Sequence, residues 1–579
     1  MRFLVTAPLF VFWTFLSSAT AGFCPMDEGL VIAQSHRLLA GQTPHADFVT
    51  PRPALSALLH LGDHLLPLPL FRASRLVALL EIAAYTAVLA SLVFARSPRR
   101  WTLAQVGMWC IALLLNVHGF PLMAWYTIDG ILLVALGYAL VRRGPSRREP
   151  FATMCGLLLL GAAPLTKQSF FAAPLIGAAV LATRGTMWSL GARLRAVGHA
   201  LAVAAIPGAI YWCVVVARAG FTPMHQQLLG ADPTWGGALF RSLLGEPARD
   251  GLLLLVASLL AITGCDLLAR RGGRHAGAGS WVGLALRCGG SVALLSPALS
   301  AALSWEHPVW GIETWCRVLV VCAWRMIVVR TIDGAAVVLL LLGWMTSLSW
   351  GYANPNLVAG SIVLAGVWSL WRDACVESVS GSRALRLAAT VAVFVALLLS
   401  MRSFAIARSR PYFDRPAAEA VVDLGRVSPA LAGIHANPIT AAFLDDLATC
   451  VHRYPASHVA VVPDGAWIYP ALDLANPLPL DWLYPPEYRF DPEVILPSVR
   501  RLASRGDYLV LFQPLPAHLI CRHEGALPPA GKQFRPSGYG DGLPSAILAE
   551  FEGRTVRCGS VKGRWQPGVV AGAAGRRGS

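Results

Sequence analysis

Long apolar stretches separated by short, arginine-bearing connections run through the first 402 residues, and then the pattern stops. The stretches fall near 3–20, 76–95, 103–120, 123–141, 151–166, 169–183, 197–217, 251–268, 281–303, 315–330, 334–350, 356–371 and 384–402. Most approach the roughly 17–25 residues that a helix needs to cross a bilayer. They predict about thirteen transmembrane helices, with the two between 151 and 183 short. From Ser403 the chain turns rich in proline, aspartate and arginine. There His458–Val462 and Asp507–Phe512 read as short buried strands, and Ile439–His452 and Asp491–Arg505 carry helical spacing. The expectation is an α-helical polytopic membrane protein in two parts. A transmembrane domain over 1–402 carries an outer loop at 22–75, and a small α/β domain over 403–579 ends in a disordered dozen residues.

The connections alternate in charge. One set carries Arg96, Arg99 and Arg100, then Arg142 to Arg148, Arg184 to Arg195, Arg270 to Arg274, Arg330, and Arg372 to Arg386. The opposite set, including 22–75, 118–127, 165–169 and 351–355, is long or nearly uncharged. The positive-inside rule makes the first set cytoplasmic, which places the 22–75 loop and the tail outside, on a plasma (inner) membrane. Arg2, a short apolar core and Ala19-Thr20-Ala21 also fit a cleaved signal peptide. Retention of the first segment is the reading preferred here, because it holds the next residues at the membrane.

Composition narrows the function classes. The chain of 579 residues is 55% hydrophobic and 14% charged, where a soluble domain carries about 25% charged residues. The net charge of +16 comes from arginines clustered between apolar runs, a topology signal rather than a nucleic-acid surface. No Cys-x-x-Cys pair occurs among the twelve cysteines, which argues against a zinc or redox motif. Cys450, Cys521 and Cys558 lie in the tail, where a disulfide can form outside the cytoplasm. The tail has no Gly-x-Gly-x-x-Gly loop to cradle a nucleotide.

Candidate chemistry gathers on the outer face. Asp27 and Glu28 stand side by side just past the first segment, where carboxylates are costly unless solvated, paired or functional. Adjacent side chains on a helix point about 100° apart, so only one of the two faces a given site. Asp47 follows in the same loop. Ala54–Leu66 has an apolar face broken by His60, Asp63 and His64, the pattern of a helix lying along the surface. Lys167, in Thr166-Lys167-Gln168, is the only lysine before residue 532, and a compact ammonium at that level suits a lipid-linked phosphate. Asp129 opens an apolar run on the same side, and Tyr352 sits in a short outer loop.

With these residues the chain resembles the C-type membrane glycosyltransferases of the protein O-mannosyltransferase and aminoarabinose-transferase kind. The likeness rests on the Asp27-Glu28 pair, on Gly41-x-x-Pro-His-Ala-Asp47-Phe48 with Pro51 and Pro53, and on the Thr166-Lys167-Gln168 turn. Asp481-Trp482-Leu483-Tyr484-Pro485-Pro486-Glu487 in the tail adds to it. The chain departs from the mannosyltransferase pattern in having Gly29 after the acidic pair, without the histidine usual nearby, which leaves the acceptor open.

The resemblance implies inverting transfer of a sugar from a polyprenyl-phosphate donor to a hydroxyl of a lipid, glycan or protein acceptor. It implies Asp27 as general base with Glu28 in support, and Asp47, Arg52, Asp129, Lys167, Gln168 and Tyr352 as substrate-binding residues. No cofactor is required, and a divalent metal is left open. Two other classes compete: a transporter or flippase of lipid-linked sugars, which predicts ionisable groups near the membrane midplane, and a non-catalytic membrane scaffold. Arg325 and Glu81 are the main ionisable groups of that kind.

Overall fold

The computed structural model describes residues 2–118, 121–142, 149–184, 189–229, 249–271, 281–304, 310–331, 333–348, 355–377, 383–489, 491–531, 534–540 and 542–568. A helix occupies each apolar stretch. In chain order the helices are α1 (Arg2–Ser18), α2 (Leu30–Leu39), α3 (Leu55–Leu59), α4 (Leu70–Phe94), α5 (Leu103–Val117), α6 (Tyr126–Val141), α7 (Glu149–Ala162) and α8 (Ala173–Arg184). Then come α9 (Leu190–Ala219), α10 (Phe221–Leu229), α11 (Arg249–Arg271), α12 (Trp281–Ser304), α13 (Trp310–Trp324), α14 (Gly334–Ser347), α15 (Asn356–Glu377) and α16 (Arg383–Arg408). Three described spans, Leu70–Phe94, Leu190–Ala219 and Thr390–Arg408, are long and apolar enough to cross a membrane. Shorter apolar helices surround them, and the molecule is an integral membrane protein.

The bundle is held as membrane bundles are, by close backbone approach and internal polar links. A Cβ on Gly360 of α15 would lie 2.2 Å from the carbonyl oxygen of Ala112 on α5, so the two helices meet only because glycine stands there. Beside that contact Asn116 donates to Thr86 (2.8 Å) and Ser361 (3.0 Å), joining α4, α5 and α15. At the start of the chain, Phe3 packs edge-on against Trp101 and Trp109 at 4.8 and 5.0 Å, seating α1 in the bundle.

The tail builds a small α/β unit. Strands β1 (Val422–Asp423) and β2 (His435–Ala436) pair antiparallel. Helix α17 (Pro438–Arg453) leads to β3 (His458–Val462), which pairs in parallel with β4 (Tyr508–Phe512). Strands β5 (Arg554–Cys558) and β6 (Val561–Gln566) complete a sheet of order β3-β4-β6-β5. Both expected strands lie where the periodicity put them, and the second helix narrows to Leu496–Arg505. Cys450 and Cys558 form a disulfide that ties α17 to β5, while Cys521 stays reduced and buried.

The tail is stitched to the first outer loop. Gly22 N donates to His435 O (2.8 Å) and His435 N donates to Thr20 O (2.7 Å), so the loop adds a short bridge beside β2. Arg37 of α2 grips Asp481 through Nε at 2.9 and 3.0 Å and reaches the Leu478 carbonyl at 2.8 Å.

The segment read as lying along the surface breaks into two short pieces. Residues 54–66 form α3 and a 3-10 turn (His60–Leu65), but the polar side faces inward. His60 and Asp63 are buried, while Leu58, Leu59, Leu65, Leu66 and Leu68 are exposed. Next to a bilayer the polar-out rule reverses, because lipid rather than water covers the outside.

Candidate active site

The acidic pair sits in a turn just before α2, and its two carboxylates part company. Glu28 turns toward α4, where Arg75 binds both its oxygens at 2.6 and 2.7 Å. The same guanidinium also donates to the carbonyls of Ala19 (2.8 Å) and Gly22 (2.6 Å), so it fixes the whole entry of the loop. Gly29 ends the turn with φ of +108°, and a Cβ there would lie 2.7 Å from the Cα of Trp467 in the tail. Only glycine fits that left-handed, backbone-to-backbone contact. The residue that departs from the mannosyltransferase pattern is therefore a docking point for the tail.

Asp27 turns the other way. It is 5% exposed, and its Oδ2 accepts a 2.9 Å hydrogen bond from Tyr412, just beyond α16. Burial pushes its carboxyl up to about 6, against the pull of the Tyr412 hydrogen bond and the charge of Arg52, with Glu487 adding repulsion. Arg52 stands over the ring of Tyr126 at 4.8 Å and binds Glu487 through Nη1 at 2.8 and 3.2 Å. Tyr126 in turn donates to Gln34 (2.9 Å) on α2.

Lys167 also feels the charge of Arg52. It is buried, and its Nζ donates to Thr127 Oγ1 (3.2 Å) in the first turn of α6. Burial, with the repelling charge of Arg52 behind it, lowers its ammonium to about 7. Arg52 thus feels Asp27 and repels Lys167, linking the two residues that lie 140 positions apart in sequence.

The remaining sequence candidates are placed as follows. Asp47 is exposed and accepts from Thr43 N (2.6 Å), closing the turn around the His45 bend. Gln168 donates to the Pro51 carbonyl and to Leu228 O (3.3 Å), supporting the loop just before Arg52. Asp129 is wholly buried beneath His60. Tyr352 lies outside the described residues.

Sequence reading missed the tail's share. Asp464, fully buried, is raised to about 7 by burial, in spite of the Tyr539 hydroxyl and the Ala517 amide that donate to it, and it senses the charge of Asp27. Trp482 stacks on Tyr484 at 4.7 Å and donates to Tyr539 (2.9 Å), placing an aromatic wall beside that acid. Of these tail residues Glu487, Trp482 and Tyr484 lay in a motif the sequence singles out, and Asp464 and Tyr539 did not. In the membrane part, an apolar cavity of about 520 Å³ is lined by residues from Trp315 and Leu319 to Leu341 and Trp344. Trp344 touches Phe171, four residues past Lys167, at 5.7 Å.

No family model matches the chain, and no curated protein matches it. Among solved structures it is similar to ArnT. That structure is the crystal structure of ArnT from Cupriavidus metallidurans bound to undecaprenyl phosphate. The two share 12% sequence identity over 89% of this chain and 92% of that chain, with a TM-score of 0.45.

Proposed function

We propose that the protein is a membrane glycosyltransferase that moves a sugar from a polyprenyl-phosphate donor to an acceptor hydroxyl on the outer face, with inversion at the anomeric carbon. The observation that carries this reading is Asp27: a buried carboxylate raised to about 6, held by Tyr412, with the charge of Arg52 felt both by it and by Lys167.

A carboxylate in that range is a competent general base near neutral pH. Asp27 takes the acceptor proton as the acceptor oxygen forms its bond to the anomeric carbon. The bond from that carbon to the phosphate oxygen breaks, and polyprenyl phosphate leaves as an anion that needs no proton. Lys167 and Arg52 offset the charge that grows on the phosphate. The apolar cavity that Trp344 helps to line suits the polyprenyl tail, and the Trp482–Tyr484 stack suits a sugar face. Glu28, held on both oxygens by Arg75, serves to aim its neighbour rather than to exchange protons.

The transporter reading asks for ionisable groups along the bundle interior. Glu81 lies with His60 and Asp129, the latter in the first turn of α6, whereas Arg287, Arg317 and Arg325 are buried among the later helices.

Membranes carrying Asp27→Asn, assayed with a panel of radiolabelled polyprenyl-phosphate sugars, provide the test. Loss of the base should slow transfer by roughly 10²–10⁴-fold. Turnover at the parent rate with the donor that the parent uses would sink the assignment.

A further inference from the structure

From Asp481 to Glu487 burial alternates along the chain, as it does where successive side chains point to opposite sides. Asp481, Leu483, Pro485 and Glu487 are buried, while Trp482, Tyr484 and Pro486 are half-buried. The buried set is spent on structure: Asp481 holds Arg37, Glu487 holds Arg52, and Leu483 sits in the core of the tail. The half-buried set brings two large rings to the open side. An antiparallel bridge from Trp482 to Asp464, with Leu483 N donating to Pro463 O (2.8 Å), fixes the run beside that acid.

A chain of hydrogen bonds locks the rings. Trp482 Nε1 donates to the Tyr539 hydroxyl (2.9 Å), and that hydroxyl donates to Asp464 Oδ2. The Asp464 carboxylate also accepts from Ala517 N at 3.3 Å. The indole lies 13° from parallel to Tyr484 at 4.7 Å, and Tyr539 meets Tyr484 edge-on at 5.1 Å. Asp464 is 0% exposed, and burying a carboxyl costs free energy that a packed core does not require. Here its bonds go to rings that are not themselves in the core. The wall stands next to the base. Met26, the neighbour of Asp27, clusters with Ala517, and Trp482, Tyr412 and Phe413 pack against them. The charge of Asp27 reaches both Asp464 and Tyr539.

We propose that the acceptor is a neutral glycan, and that the wall of Trp482, Tyr484 and Tyr539 holds the sugar ring whose hydroxyl Asp27 deprotonates. This rests on the glycosyltransferase reading above and names its acceptor class. A sugar ring joins an apolar C–H face to a rim of hydroxyls. The face stacks on indole and phenol rings. The rim meets Asp27 and the lone pair that Tyr539 keeps after donating to Asp464 and accepting from Trp482. A phosphate-bearing acceptor suits the wall less, because two acids, Asp27 and Asp464, stand at it. A fatty chain gains nothing from the hydroxyl rim. Asp464 is a positioning residue, acting through Tyr539 on Trp482.

Full-length protein in lipid nanodiscs, without donor, is mixed with linear trisaccharides of glucose, mannose, galactose or arabinose, and contact is read by saturation-transfer NMR. At least one should bind through the C–H protons of a single ring. Trp482→Ala should weaken that binding about tenfold, and Trp482→Phe much less. Tyr484→Ala carries the same expectation should Trp482→Ala not stay monodisperse. With that trisaccharide as acceptor, Asp464→Ala should raise the acceptor KM and leave kcat and the donor KM near parent values. Asp464→Asn, whose amide oxygen still accepts from Tyr539, should restore the acceptor KM, a split that mere loosening of the tail does not produce. Parent protein that binds none of the saccharides would overturn the proposal. So would transfer to a lipid or a peptide with an acceptor KM that Trp482→Ala leaves unmoved. Neither result touches the glycosyltransferase reading, which Asp27→Asn tests on its own.

Discussion

Tyr412 donates a 2.9 Å hydrogen bond to Asp27 Oδ2 across 385 residues of chain. The bond stabilises the ionised carboxylate and so opposes the burial that raises it. Tyr412→Phe should therefore move the carboxyl further above about 6. In a rate–pH profile the acidic limb shifts to higher pH, and activity lost at pH 6 returns in part at higher pH. An unmoved limb with a uniformly lower rate would separate Tyr412 from the base.

The two central groups set a narrow window. Asp27 must be ionised, so the rate falls as pH drops through about 6. Lys167 must be protonated, so it also falls as pH rises through about 7. A bell-shaped profile with its maximum between these values is expected. Lys167→Arg keeps its charge at high pH and should remove the basic limb, at some cost in rate from the changed geometry.

The raised carboxyl has a stability consequence of fixed sign. Folded Asp27 holds its proton more tightly than an unfolded one near 3.8, so stability declines as pH rises from there to about 6. Above that range the loss is complete, on the order of 3 kcal/mol from this group alone. Asp27→Asn avoids it. The inactive variant should show a higher apparent melting temperature than the parent at pH 7.5, and no gain near pH 4.

Arg52 and Glu487 form a buried pair, and breaking one side leaves the other charge uncompensated. Glu487→Gln should cost roughly 3–5 kcal/mol of stability. The damage should be felt first at the interface between loop and tail, as easier proteolysis of the 20–66 region. Protection unchanged from the parent would show that Arg52 finds another partner.

The disulfide between Cys450 and Cys558 spans 108 residues of sequence. Loop-closure entropy for such a span is worth about 4–5 kcal/mol in the chain-entropy model. Cys450→Ser with Cys558→Ser should markedly lower the thermal stability of the tail, with little change in parent protein carrying Cys521→Ser. Alkylation followed by mass mapping checks the pairing directly.

Much of the scaffold was legible because apolar runs and strand alternation are local signals. A helix fills every stretch the pattern marked, and β3 matches its expected residues. The first loop was legible only as an unusual density of carboxylates. Which one meets the tyrosine and which the arginine depends on contacts from α4 and from residues 385 or more positions away. Asp464 gave no local signal of its own, since a buried acid in a tail reads like any surface acid, and Glu487 was marked only by the motif it ends. The 54–66 segment was legible as a surface segment with an apolar face, but that His60 turns inward to meet Asp63 and Asp129 depends on α6 and not on its own pattern.

The backbone bridge between residues 20–22 and His435 sets an order of assembly. Gly22 and Thr20 are synthesised before their strand partner, which follows more than 400 positions later. Until the tail exists, the turn bearing Asp27 lacks its bridge, its tyrosine and the tryptophan that packs on Gly29. A nascent chain thus has its helices before its base is held in place, and the site comes into being only when the tail has been made.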